Sequence, residues 1–475
     1  MSYITGYSRD QITLFPEAID DYITEENSVR FIDVYVDSLD FVELGFTYSE
    51  PKETGRPPYN PGDLLKLYLY GYLNRIRSSR RLEKATHCNI ELMWLLRRLH
   101  PDFKTIADFR KDNASSLKKV CREFTLFCKS LELFGAELIA VDGSKFSAVN
   151  SNNRSFTSKK VEKVIKKIDK DIDIYLRELD KNDYDERDVK NPTAAELTKK
   201  IKVLKDRKKR LLETKEHLEK SEEKQINLTD SDSRMMHSSS GKDVSYNVQI
   251  VTDSKNKLIA EHEVTNDTTD YNQLAHMAIK AKEILGSERL KVTCDSGYYE
   301  DNNIKECHDN NIECYIPKPA KSNNISNGLY EKSDFHYDPS DDTYTCPAGQ
   351  KLMYRRKLNK KGKVLKVYET NLCKSCDLKP KCTKAKRNRL IYRWEYEETR
   401  EEMEQRIRMN KELLTQRKGL VEHPFGTIKH WMGYGSFLTR GIDKVSTEMS
   451  LTVFAYNLKR AITILGVKKL VRAVA

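Results

Sequence analysis

Apolar positions change their spacing several times along the 475-residue chain, and each change marks a different kind of element. Up to about residue 130 the spacing is helical, with apolar residues three and four apart. Glu26-Asn-Ser-Val-Arg-Phe-Ile-Asp-Val-Tyr-Val opens one predicted helix, and Asn60-Pro61 opens another, Pro61 suiting a first turn. Short helices are expected around Leu82–His87, Ile90–Leu99 and Pro101–Arg110. The period then shortens. Glu137-Leu-Ile-Ala-Val-Asp-Gly-Ser-Lys145 reads as a buried strand ending at Asp142, after which Gly143 turns the chain.

From Lys159 to Glu223 the chain is dense in charge, and a narrow apolar seam runs through Val161, Ile165, Ile168, Ile172, Tyr175 and Leu179. Leu197, Ile201, Leu204 and Leu211 repeat the pattern, and Asn191-Pro192 suits the start of that second helix. This predicts an antiparallel helical hairpin. It reads either as a structural insertion or as a surface for dimerisation or DNA contact. Strand spacing returns at Asp243–Asp253 and Leu258–Thr265, joined by a turn-forming stretch. A helix around Tyr271–Leu285, a strand ending at Asp295, a helix around Asn302–Asn310 and a strand at Cys314–Pro317 follow. Residues 318 to about 395 are rich in Asn, Ser, Lys and Asp. A charged helix over Glu397–Gln416 and an amphipathic one around Val445–Leu465 close the pattern. After the all-α N-terminal part, strands first and then alternating strands and helices indicate an α/β or mixed-sheet domain, a mixed α+β class.

Charge changes the picture next. A net charge of +12 favours a polyanionic partner. Arg75, Arg77, Arg80 and Arg81, mixed with Ser78 and Ser79, form a basic junction between short helices. That is compatible with a helix-turn-helix-like DNA reader, and equally with a small bundle carrying a solvated basic face. No signal peptide and no long uninterrupted apolar run are seen, so neither secretion nor membrane spanning is expected. A reducing, cytoplasmic setting fits, with association to the nucleoid. Cys88, Cys121, Cys128, Cys294, Cys307 and Cys314 lie singly in periodic segments and read as reduced core thiols.

Candidate chemistry concentrates at three acids. Leu290-Lys-Val-Thr-Cys-Asp295-Ser-Gly297 repeats the design of the Asp142 strand, with a carboxylate at its tip. Glu422 lies in Val421-Glu-His-Pro-Phe-Gly-Thr-Ile-Lys429, near the start of an expected helix. Alone, each aspartate reads as a turn residue. Together, Asp142, Asp295 and Glu422 suit two Mg²⁺ or Mn²⁺ ions, because hard cations prefer oxygen ligands and paired ions assist in-line phosphoryl transfer. Lys429 follows Glu422 by seven residues, about two helical turns, so both can share a face. Arg417, Lys429 and Arg440 are candidate phosphate contacts. Trp431 is a candidate base-stacking residue, against the commoner reading of a core tryptophan. Asp230, Asp232 and His237 read as loop caps, with a phosphate or metal-neighbour role as the alternative. Cys346, Cys373, Cys376 and Cys382 form C-x₂₆-C-x₂-C-x₅-C, a spacing that suits a structural zinc; a redox pair or free thiols is the alternative.

Several separated motifs, in order, resemble bacterial insertion-sequence transposases of the DDE type. Gly55-Arg-Pro-Pro-Tyr-Asn-Pro and Leu-Tyr-Gly-Tyr-Leu-Asn-Arg-Ile-Arg-Ser-Ser-Arg80 resemble the helical N-terminal domain of InsH-like members. Thr229-Asp-Ser-Asp-Ser-Arg-Met-Met236, Asp295-Ser-Gly-Tyr-Tyr299 and the Glu422 segment resemble motifs of the catalytic domain. The resemblance implies an RNase H-like core with Asp142, Asp295 and Glu422 as its acids, and Mg²⁺. It also implies terminal inverted repeats and target DNA as partners, and a homodimer or higher oligomer. One departure is Leu414, where a tyrosine three residues before Arg417 is common in related families.

The expected organisation is a helical DNA-binding region at 1–130 and a catalytic domain in pieces at 131–158, 226–318 and 396–475. The hairpin at 159–225 and a cysteine-rich zinc insertion at 319–395 would interrupt it. The expected activity is metal-dependent cleavage at element ends followed by strand transfer. The rivals are a non-catalytic, domesticated DNA-binding protein and a nuclease of the same fold without strand transfer.

Overall fold

The computed structural model describes residues 17–50, 57–151, 154–182, 194–220, 225–238, 241–319, 324, 327–360 and 362–474. Gly55 and Arg56 of the first motif, and the Asn191-Pro192 pair, lie outside them. The chain is a mixed α/β structure, with fifteen α-helices among the described residues. It divides into two units, and two of the four dividing points fall inside the Leu138–Ser147 strand and the Lys411–Gly426 helix.

The first unit comprises 1–135, 143–269 and 421–475. Its centre is the helix Ile442–Leu465, buried along most of its length. The amphipathic helix expected here is instead buried on most sides, and the polar side chains it carries inward, Glu448 and Asn457 among them, are hydrogen-bonded. It packs against Pro61–Leu73 and Ala114–Ser130; the rings of Phe124 and Phe454 lie 4.4 Å apart. Pro61–Leu73 begins as its sequence predicts, with Pro61 in the first turn and the Asn60 side chain accepting from the Gly62 N–H. The expected Ile90–Leu99 helix stops at Leu95, because Arg97 and Arg98 take left-handed backbone angles (φ 52° and 61°).

The strands of this unit pair antiparallel around Gly241–Asp253. Arg234–Ser238 lies on one side, with Arg234 opposite Ser245. Ile259–Thr265 lies on the other, with Asn247 opposite Thr265. Asn457 of the central helix donates to Ile259 O (2.8 Å) and accepts from Ile259 N–H (2.9 Å), satisfying strand backbone that would otherwise be buried unpaired. The helical hairpin forms as expected, from Ser158–Asn182 and Ala194–Lys220. Val161, Ile168, Ile172, Ile201, Leu211 and Leu218 give it a core of its own together with Phe156.

The second unit comprises 136–142 and 270–420. Leu138–Ala140 pairs parallel with Leu290–Thr293, which pairs parallel with Ile312–Tyr315. The crossover helices are Leu274–Leu285 and Asp301–Asp309. The cysteine-rich stretch is a five-stranded antiparallel sheet, in the order Ile391–Trp394, Lys363–Glu369, Lys351–Lys360, Thr343–Thr345, His336–Asp338. The single charged helix expected over Glu397–Gln416 is two, broken at Asn410: Glu397–Met409 and Lys411–Gly426. Glu422 therefore lies late in a helix rather than near the start of one, two residues before an in-helix Pro424. Pro424 offers no N–H to the ladder, and the chain passes at once into a π-helical turn at Thr427–Trp431.

Of the six singly placed cysteines, Cys121, Cys128, Cys294, Cys307 and Cys314 are buried, as expected of core thiols. Cys88 is not: it lies at the last turn of Ser79–Cys88 and is exposed. No helix among the described residues is long and apolar enough to cross a membrane.

Candidate active site

Parallel pairing sets the positions of the two aspartates. Ala140 lies opposite Thr293, and Asp142 and Asp295 each follow two residues later. The strand predicted to end at Asp142 instead continues to Ser147, so Asp142 lies within it, just past the parallel pairing that ends at Ala140, while Asp295 follows the end of Leu290–Thr293. Both carboxylates thus lie just beyond the C-terminal end of the parallel pairing, the side on which open α/β sheets present their ligand sites. Both are half-buried. Arg417 Nη1 stands 4.0 Å from Asp142 Oδ1. Asp295 Oδ1 accepts from the Gly297 N–H at 2.8 Å, which holds the carboxylate in a tight turn. A Cβ at Gly297 would come within 2.9 Å of that oxygen, so a side chain there would displace the carboxylate.

Two buried side chains report the field of this cluster. Burial pushes the Cys294 thiol well up; Cys314, Asp295 and Asp142 push the same way, and Arg417 opposes them. Burial likewise raises the Tyr298 hydroxyl, with Asp270, Asp142 and Asp295 adding to it. Asp270 and Tyr298 thus belong to the surroundings of the two aspartates, and sequence reasoning missed both. Tyr298 stands in a quoted motif, but a tyrosine directly after a glycine turn reads as core. Asp270 sits in Asn266-Asp-Thr-Thr-Asp270, indistinguishable in sequence from loop.

Apart from the four clustered cysteines, the other candidates lie in the first unit. Glu422 is exposed. Its neighbour His423 points inward, its Nδ1 3.0 Å from the Tyr456 hydroxyl. Tyr456 donates to Lys257 O (2.7 Å), so the proton of the His423–Tyr456 bond comes from Nδ1, leaving Nε2 as an acceptor. Burial, with Arg460 and Lys257 nearby, lowers the His423 pKa and keeps the ring neutral. Lys429 Nζ donates to Ser144 Oγ (2.6 Å) and Lys145 O (2.7 Å) and lies over the Phe146 ring.

Trp431 is 46% exposed, not a core tryptophan. The Arg75 guanidinium lies 4.1 Å and the Lys459 ammonium 2.7 Å from its ring centre. Burial and Arg75 lower the Lys459 pKa. Arg81 and Arg440 are exposed, and Arg80 lies over Phe103. Arg77 differs from its neighbours. It donates to Glu448, a fully buried carboxylate, at 3.1 Å, and stacks on Tyr434. Glu448 also accepts from the backbone N–H groups of Leu438 and Thr439 and from Thr439 Oγ1. Asp230 and Asp232 are caps: Asp230 accepts from Gly441 N–H (3.1 Å) and Asp232 from Ile442 N–H (2.9 Å), at the start of the central helix. His237 is exposed.

In donor chemistry, Asp142 and Asp295 suit a hard divalent ion: carboxylate oxygens at one sheet edge, with a cation beside them. Among the described residues, no group of three or more His, Cys, Asp or Glu side chains is gathered ready to hold a metal. Cys346, Cys373, Cys376 and Cys382 all line one small cavity beside the five-stranded sheet.

Comparison with known proteins bears on the two ends of this account. Residues 17–112 match the model of a transposase domain (DUF772), which covers the Arg75–Arg81 junction. Residues 345–462 match the model of a transposase DDE domain, which covers the four clustered cysteines, Glu422, Lys429 and Trp431. Asp142 and Asp295 fall outside both matches. No curated protein matches the chain in sequence. Among solved structures, a chain from the cryo-EM structure of piggyBac transposase synaptic complex with hairpin DNA aligns at 10% identity and a TM-score of 0.31. The alignment covers 94% of this chain and 77% of that one, a likeness too low to carry an argument. The two matches, to a transposase domain and a transposase DDE domain, together support an insertion-sequence DDE transposase.

Proposed function

We propose that this transposase cleaves phosphodiesters at the ends of its element and joins the freed 3′-hydroxyls to target DNA. Asp142, Asp295 and Glu422 are its acids, on an RNase H-like core. The observation that carries the reading is the parallel register that brings Asp142 and Asp295 to one sheet edge with Arg417. The carboxylates would hold two Mg²⁺ or Mn²⁺ ions, which supply charge stabilisation to the attacking and departing oxygens of an in-line displacement. The chain's own residues do the rest. Arg417, beside Asp142, positions a phosphate oxygen. The Gly297 N–H fixes the Asp295 carboxylate so that it does not reorganise during reaction. Lys429, held by Ser144 and Lys145, fixes the segment that follows Glu422.

DNA is the partner, as terminal inverted repeats and as target, engaged by a homodimer or higher oligomer working at the nucleoid. Arg75, Arg80, Arg81 and Arg440 contact the backbone, and Trp431 receives an unpaired base. The helical region 1–130 reads the ends, and the catalytic pieces carry the chemistry.

The test uses duplex DNA bearing the inverted repeats that flank the gene, with Mg²⁺. Asp142→Ala, Asp295→Ala and Glu422→Ala each remove a ligand whose ions supply several kcal/mol, so cleavage should fall by on the order of 10³ or more. End binding in a gel-shift assay should persist. Cleavage at the parent rate in any one variant removes that acid from the site. Added target DNA should yield joined products; cleavage without joining would make the chain a nuclease.

A further inference from the structure

The cysteine-rich sheet carries a feature that strand transfer does not use. Cys346, Cys373, Cys376 and Cys382 come from three separate segments. Cys346 follows the Thr343–Thr345 strand, Cys373 lies in the 3-10 turn Asn371–Ser375 and Cys376 follows it, and Cys382 ends the short helix Lys379–Cys382. All four line a cavity of about 20 Å³, room for little more than one water-sized body. Among the described residues no carboxylate or imidazole lines it, and the soft donors it offers are the four sulfurs.

The surroundings offer hydrogen-bond donors and cations to the sulfurs. The chain folds back after Cys346: Gly349 N–H donates to Cys346 O (2.8 Å) and Cys346 N–H to Gln350 O (3.0 Å). Gly349 takes φ +71°, which a side chain would resist. That turn aims the Gln350 N–H at Cys346 Sγ, 3.4 Å away. Arg389 and Lys379 also line the cavity. Arg389 donates through Nη1 to Cys382 O, while its Nε is buried with no acceptor among the described residues. A buried donor without an acceptor is costly, and a thiolate beside it would remove the cost.

We infer that Cys346, Cys373, Cys376 and Cys382 form a tetrahedral four-thiolate site for one Zn²⁺ that ties the turns at this end of the five-stranded sheet. The sulfurs do not stand as a preassembled ligand set; the ion completes the site by drawing them in. Binding releases the four thiol protons, and the centre carries two net negative charges, which Arg389 and Lys379 offset. With four protein ligands and no open position the ion is structural. It is separate from the hard-cation site at Asp142 and Asp295, which offers oxygen donors.

The experiment measures zinc in the full chain purified under reductant. About one equivalent per chain is expected, as a closed structural site requires. Cys373→Ser combined with Cys376→Ser should lose it, and Cys88→Ser, at an exposed thiol far from the cluster in sequence, should keep it. Because the double variant can fail to fold, Co²⁺ exchange into the unaltered chain is read alongside. It should give intense visible bands of tetrahedral cobalt with thiolate-to-metal charge transfer. Absence of zinc both as isolated and after reconstitution under reductant overturns the assignment, as does recovery of the four cysteines as disulfides or of iron in place of zinc. Catalytic inactivity with zinc present would count against the acids and not against this site.

Discussion

At the scale of single residues, the basic junction divides into cations with different work. Arg75, Arg77, Arg80 and Arg81 look alike in sequence, yet Arg77 alone is spent on a buried carboxylate, Glu448. Removing one partner of a buried ion pair leaves an uncompensated charge, at a cost of roughly 3–5 kcal/mol. Arg77→Ala should therefore lower the denaturant midpoint by that equivalent. Arg81→Ala, at an exposed position, should leave stability within about 0.5 kcal/mol. It should instead reduce the salt slope of DNA binding by about one phosphate's worth. Denaturation curves and salt-dependent binding of both variants check this. If Arg77→Ala leaves stability intact and only weakens DNA binding, Arg77 belongs with its neighbours.

At the scale of elements, the hairpin of Ser158–Asn182 and Ala194–Lys220 is legible in sequence because its seam is local. Alternating steps of four and three put Val161, Ile168 and Ile172 on one stripe, and the stripe is what the structure buries. Its core is its own, separate from the rings around Phe454. Ile168→Ala should cost about 2–5 kcal/mol there and, by hydrogen exchange, deprotect residues 158–220. The Ile442–Leu465 helix should keep its protection. Equal loss in both would show that hairpin and central helix unfold as one. Helix ends were less legible. The break at Asn410 and the stop at Leu95 depend on backbone angles that no apolar period reveals.

At the scale of the whole molecule, the chain bears net charge +12, and its exposed arginines include Arg75, Arg81 and Arg440. Binding driven by phosphate neutralisation falls linearly with log salt, by a slope of about 0.9 for each phosphate contacted. End-DNA affinity should therefore drop steeply as salt rises. Non-specific DNA should show a comparable slope, since backbone contacts carry no sequence information. A flat salt response in titrations would remove the electrostatic account of the basic surface.

The helical hairpin seam and the strand followed by Asp295 could be read from the residues alone, because each depends on neighbours within a few positions, whereas the five-stranded sheet of 336–394 and the run of the Asp142 strand on to Ser147 could not. Tertiary structure decided what depends on partners far away in the chain. Glu448 claims Arg77 across hundreds of residues. Arg75 and Lys459 meet on Trp431, which leaves it half in solvent. Parallel pairing sets Asp142 and Asp295 side by side. A side chain's burial and charge environment are sums over everything folded around it, and a local pattern holds only its own share of that sum.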